Sequence, residues 1–98
     1  MAKAKPRLER DEENEAVKLA KRAGGLALKL ILKGERGFPD RTFLFPGAFV
    51  MFIEMKRLTS GSKESQQQKR WIAKLRKLGF TAEVCRTVAE VEALIPWL

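Results

Sequence analysis

The chain has 98 residues, 45% hydrophobic and 33% charged, a globular composition that suits one domain and excludes a disordered chain or a membrane-spanning stretch. With no histidine and one cysteine, Cys85, it cannot build Ser-His-Asp triads, Cys-His pairs, zinc fingers or an internal disulfide, and any metal must be a hard cation held by oxygens, such as Mg²⁺ or Mn²⁺. Twenty Lys and Arg against twelve acids give a net charge of +8, which favours a polyanionic partner, most simply nucleic acid, with a merely soluble basic protein as the plainer alternative.

Residues 1–7 (MAKAKPR) read as a loose basic tail and residues 8–98 as the folded domain. The charged N-terminal stretch lacks the apolar run of a secretory signal, and the expected setting is a reducing cytoplasm without membrane attachment. Residues 8–23 read as a helix. Ala16, Val17, Ala20 and Ala23 form a narrow apolar stripe, and Glu13 lies on its line. Acids crowd the first turns, where the helix dipole favours them. Glu12 and Glu15 fall off the stripe and read as solvated surface. Gly24-Gly25 ends the helix.

LALKLILK (26–33) alternates as a strand, GERGFPDR (34–41) is a loop, and TFLF (42–45) is a second strand. Pro46-Gly47 fits a tight turn, after which AFVMFIEMK (48–56) returns as a third strand. Residues 57–64 are a polar loop. Ser65 and Gln68 have the spacing of a capping box. The helix that follows carries Trp71, Ile72, Leu75 and Leu78 on one face, with Lys69, Arg70, Lys74, Arg76 and Lys77 over the rest, and stops at Gly79. FTAEVCR (80–86) is a fourth strand. Thr87 and Glu90 open a short last helix with Val88, Val91, Leu94 and Ile95 inward. The order α-β-β-β-α-β-α predicts a mixed sheet with helices packed on it.

The third strand carries the chemistry. Val50, Phe52, Glu54 and Lys56 share one face, so an acid and a base follow two apolar residues into what reads as core. One reading is a strand that runs out into solvent at residue 54. The other is a site. Folding about Pro46-Gly47 carries Asp40 back toward Glu54, within side-chain reach if the register slips by a residue or so. Two carboxylates can share a divalent cation, and the lysine can orient water or steady negative charge, which suits cutting a phosphodiester.

Pro39-Asp40 followed by Glu54-x-Lys56 resembles the PD-(D/E)XK nuclease signature. The ordered blocks LERDEENEAVKLAKRAGGLALKL, GFPDR, GAFVMFIEMKR and SQQQKRWIAKLRKLGF are together similar to the VRR-NUC branch, over roughly residues 8–95. The resemblance implies an α/β fold with a restriction-endonuclease-like αβββαβ core, a mixed central sheet flanked by helices. It implies a Mg²⁺- or Mn²⁺-dependent endonuclease acting on branched or otherwise structured DNA. Asp40 and Glu54 would hold the metal with the backbone carbonyl of Met55, and Lys56 would be the catalytic lysine. Glu13 matches the family's helix glutamate, touching metal directly or through water, with a plain surface acid as the alternative; Glu9 matches a second frequent acid. Gln68 matches the motif glutamine, although capping alone explains it and Gln66 and Gln67 are rivals. Lys29, Arg41, Lys63, Lys69 and Arg70 are the candidate phosphate contacts, each also readable as a solvated charge. Trp71 reads as core rather than as a base-stacking ring.

Single-domain members resemble Holliday-junction resolvases, which implies a homodimer with two related sites and, on resemblance, a phage or prophage setting. Two rivals stand beside this reading. One is the same fold directed at a flap, a nick or a single strand. The other is a non-catalytic DNA-binding module, against which the intact Asp40, Glu54 and Lys56 speak.

Overall fold

The computed structural model describes residues 9–56 and 64–98. Its elements are α1 (Glu9–Arg22), β1 (Leu26–Leu28), β2 (Arg41–Phe45), β3 (Phe49–Met55), α2 (Gln66–Lys77), β4 (Thr81–Cys85) and α3 (Val88–Ala93). They form one sheet in the order β1-β2-β3-β4, antiparallel at its first two pairings and parallel between β3 and β4. This is the mixed α/β sheet with flanking helices that the element order predicts.

Strand alternation divides the core in two. Phe43, Phe45, Met51, Ile53, Met55 and Cys85 point to one face and pack with Ala16, Leu19 and Ala20 of α1 and with Val91 and Ile95 around α3. Phe52 and Ala82 point to the other, where Ile72 and Leu75 of α2 cover them and Phe38, Trp71, Val50 and Val84 complete the cluster. β3 is therefore apolar on both faces because both are covered. Trp71 is core, as expected, with the Phe38 ring 5.1 Å away edge-on. Cys85 is buried, and burial pushes its thiol up to about 12, so it is an inert packing residue.

Several boundaries differ from the sequence reading. The β2–β3 turn has three residues, Pro46–Ala48, rather than two; Gly47 (φ 78°) and Ala48 (φ 60°) both take left-handed backbone. The strand at 26–33 pairs only over Leu26–Leu28. Beyond Leu28 its partner strand has no ladder to offer. Pro39 lacks an N–H, and the Asp40 N–H donates to the Glu54 side chain instead, at 3.1 Å. Ile31 is consequently 92% exposed. Leu78, expected inward, is also exposed, because α2 ends at Lys77.

The apolar line of α1 is shifted as well. It runs through Glu12, Ala16, Leu19 and Ala20. Glu12 is buried, not solvated, and its carboxylate accepts the Val88 N–H at 2.8 Å, joining α1 to the start of α3. Glu15 is at the surface as expected, paired with Lys18 at 3.3 Å. The 1–7 tail lies outside the described residues.

Candidate active site

The three-residue turn sets the site. Phe45 pairs with Phe49 and Arg41 with Ile53, so one further step places Asp40 across from Glu54. Ala48 is the extra residue, and it supplies the slip that a two-residue turn would lack. Glu54 and Phe52 share the sheet face covered by α2, so the carboxylate is buried beneath the first turn of that helix.

Four sequence-predicted residues meet there. Asp40 donates its N–H to Glu54 Oε1. Gln68 Nε2 donates to Glu54 Oε2 at 3.1 Å. Lys56 Nζ lies 3.8 Å from the same oxygen, with its side chain largely buried. The Gln68 side-chain oxygen accepts the Ser65 N–H at 2.9 Å and its own N–H donates to Ser65 Oγ at 3.1 Å, so the capping box is present too. Its two roles are compatible because the amide has one end for each. Gln66 and Gln67 are exposed. Met55 is buried in the opposite core, which leaves its backbone as its contribution to this end of β3. A cleft of about 270 Å³ opens beside Asp40, walled by Lys29, Leu30, Leu32, Phe38 and Pro39.

Other candidates lie elsewhere. Glu13 is on the α1 side of the sheet, where Arg41 donates to its Oε2 from Nε at 3.0 Å and Nη2 at 2.8 Å, and Lys29 Nζ is 3.7 Å away. Among the described residues no third acid joins Asp40 and Glu54 as a metal cluster. Glu9 opens α1, half-buried. Lys69 and Arg70 are exposed on α2, and Lys63 lies outside the described residues.

One residue that positions the site was missed. Gly37 has φ +85°, and a Cβ there would lie 2.6 Å from the Gln67 carbonyl carbon and 2.7 Å from the Gln68 nitrogen. Only a glycine lets the loop before Asp40 lie against the first turn of α2. The signal lies in GFPDR, where the glycine counts as loop composition and as part of a family block but not as a residue that places α2.

The electrostatics are short of positive charge. Burial pushes the Glu54 carboxyl up to about 8, and the charge and side-chain hydrogen bond of Asp40 push the same way; Lys56 and the Asp40 N–H oppose them and lose. A folded-state value above the ordinary 4.5 means the folded chain keeps a proton that the unfolded chain releases. The associated stability is complete below pH 4.5 and is lost as pH rises through about 8. The melting temperature in chelator should therefore fall between pH 5 and pH 8.5, and Glu54→Gln should flatten that decline; calorimetry over the pH range checks it. The donor set fits a divalent cation: two adjacent carboxylates, oxygen only, with more negative charge than one lysine neutralises.

Fold and paired acids together define a class, the α/β nuclease domains of PD-(D/E)XK type. Residues 6–89 match the VRR-NUC domain, and the chain belongs to that family. It is 36% identical over 67 residues to "Putative nuclease p44" of Acyrthosiphon pisum secondary endosymbiont phage 1, covering 68% of this chain and 70% of that one. A solved structure described as a VRR_NUC domain superposes with a TM-score of 0.78 at 28% identity, over 89% of this chain and 92% of its own. A second, a VRR_NUC domain protein, shares the fold with a TM-score of 0.71 at 23% identity, over 93% and 87%. Among the described residues no helix is long and apolar enough to cross a membrane.

Proposed function

We propose that the chain is a divalent-metal-dependent endonuclease for structured DNA, most specifically a resolvase of four-way junctions working as a homodimer. The observation that carries the catalytic reading is the Asp40–Glu54 pair, with Glu54 buried and Asp40, Lys56 and Gln68 half-buried around it. Asp40, Glu54 and the Met55 carbonyl would hold Mg²⁺ or Mn²⁺. A cation bound there supplies positive charge against the phosphate and makes water more acidic. Lys56 orients the attacking water and steadies the charge that develops on the phosphate. Gln68 fixes the Glu54 carboxylate so that its other oxygen stays turned to Asp40.

Glu13 completes the site less directly. Its ion pair with Arg41, the residue after Asp40, ties α1 to the strand that carries the acid. Lys29, Arg41, Lys63, Lys69 and Arg70 are the phosphate contacts in this reading. The junction preference and the homodimer rest on the +8 charge and on the need for two symmetric cuts. A phage or prophage setting accords with the phage relative.

The test compares a labelled four-way junction with a linear duplex of the same sequence, in Mg²⁺, Mn²⁺ or chelator. Paired symmetric cuts in the junction alone, absent in chelator, are expected. Equal cutting of both substrates would remove the junction preference and keep the nuclease. Cutting in chelator would remove the metal site.

A further inference from the structure

Charge is divided between the two faces of the sheet. Five of the twelve residues of α2 are Lys or Arg and none is acidic. α1 and α3, on the opposite face, carry seven acids against four cations. The cationic helix is the one that starts over the paired acids, where Gln68 holds Glu54. A polyanion approaching that face meets α2 first.

Packing sorts the cations of α2. Ile72 and Leu75 face the sheet. Arg76 turns toward β4, donating from Nε to the Ala82 carbonyl at 2.8 Å and from Nη2 to Glu83 at 2.7 Å. Arg70, Lys74 and Lys77 follow one another at four and three residues, a single ridge on the exposed side. Among the described residues none of the three pairs with an acid. The Lys74 ammonium sits 5.1 Å from the Trp71 ring centre, which orders its stem. At 1.5 Å per residue the ridge is roughly 10 Å long, about three base steps of one DNA strand.

We propose that this ridge holds a double-stranded arm of the DNA substrate, with Lys74 and Lys77 joining Arg70 on consecutive phosphates as the arm leads away from the cut. The inference rests on the nuclease reading and names the duplex as what lies over α2. Such contacts position DNA without reading its sequence. They release counterions, so they show in the salt dependence of binding.

The experiment measures binding of a fluorescent four-way junction by anisotropy against salt, in chelator, so that no cutting intervenes. The Lys74→Gln/Lys77→Gln chain should bind with a slope of log affinity on log salt shallower by about 1.8, and roughly tenfold more weakly at moderate salt. Lys21→Gln/Arg22→Gln, on the far face, removes the same charge and should leave the slope unchanged. Equal effects from the two pairs would mean that net charge alone attracts DNA, and would overturn the proposal. An unchanged slope in the α2 pair would overturn it as well, as would an equal loss on a single-stranded oligonucleotide. A chain that cuts under neither Mg²⁺ nor Mn²⁺ yet shows the slope change overturns the nuclease reading alone. One that cuts while the slope stays fixed overturns the ridge alone.

Discussion

Glu54→Gln is expected to stop cleavage and raise the melting temperature together. Removing the carboxylate takes away half of the paired acid ligands, and about 10³-fold or more of the rate should go with it, equivalent to roughly 4 kcal/mol. Stability moves the other way because the folded chain holds this carboxyl against its own preference, with burial and Asp40 both resisting its charge. A glutamine has the same shape. Its carbonyl can accept from Gln68 while its amide donates to the Asp40 carboxylate, so the gain is net of one lost hydrogen bond, that of the Asp40 N–H. At pH 8 the gain should be on the order of 5 °C. Single-turnover cleavage and calorimetry on the same preparation check the pair of effects. Lost activity with lost stability would mean that Glu54 is a structural ligand of the fold and not a strained functional group.

Gly37→Ala should be the most damaging small substitution outside the acids. Its φ of +85° disfavours any L side chain, and its new methyl would press on backbone atoms of Gln67 and Gln68 at 2.6–2.7 Å. Backbone cannot step aside as a flexible side chain can. The loop must lift from α2, which separates Phe38 from Trp71 and Asp40 from the Gln68-bound Glu54. A cost of about 2–3 kcal/mol is expected, with most of the cleavage lost. Gly34→Ala is the matched control: its φ is +79°, but nothing lies within 4 Å of the added carbon. It should cost about 1 kcal/mol. If the two variants melt alike, the close approach of the loop to α2 does not hold the site.

The acid pair was legible in the sequence because strand alternation and a hairpin are local rules. Phe52, Glu54 and Lys56 share a face by period two, and a proline-glycine turn brings Asp40 back. The one-residue uncertainty in register came from the turn, since nothing in PGA announces that Ala48 takes left-handed backbone. Gln68 was legible for the same local reason, as a capping box, and its second bond to Glu54 needed only the helix to cross over β3.

What was not legible depends on distant partners. Glu12 bonds a residue 76 positions away, so no window around α1 could show it buried. The apolar line of small alanines is narrow enough to be drawn through Glu13 as easily as through Glu12, and the choice is made by where α3 docks. The missing half of the first strand fails for a related reason. LALKLILK has the right alternation, but Pro39 and Asp40 have no free N–H to extend the ladder. The same two residues that make the site end the sheet beside it.

In the proposed mechanism Asp40 and Glu54 together hold the cation on which cutting depends. Calorimetric titration of the chain with Mn²⁺ at pH 7.5, beside Asp40→Asn and Glu54→Gln, tests it most directly. Saturable binding in the natural chain, absent from both variants, is the predicted result. Equal Mn²⁺ binding by all three chains would place the cation elsewhere and overturn the role proposed for the two acids.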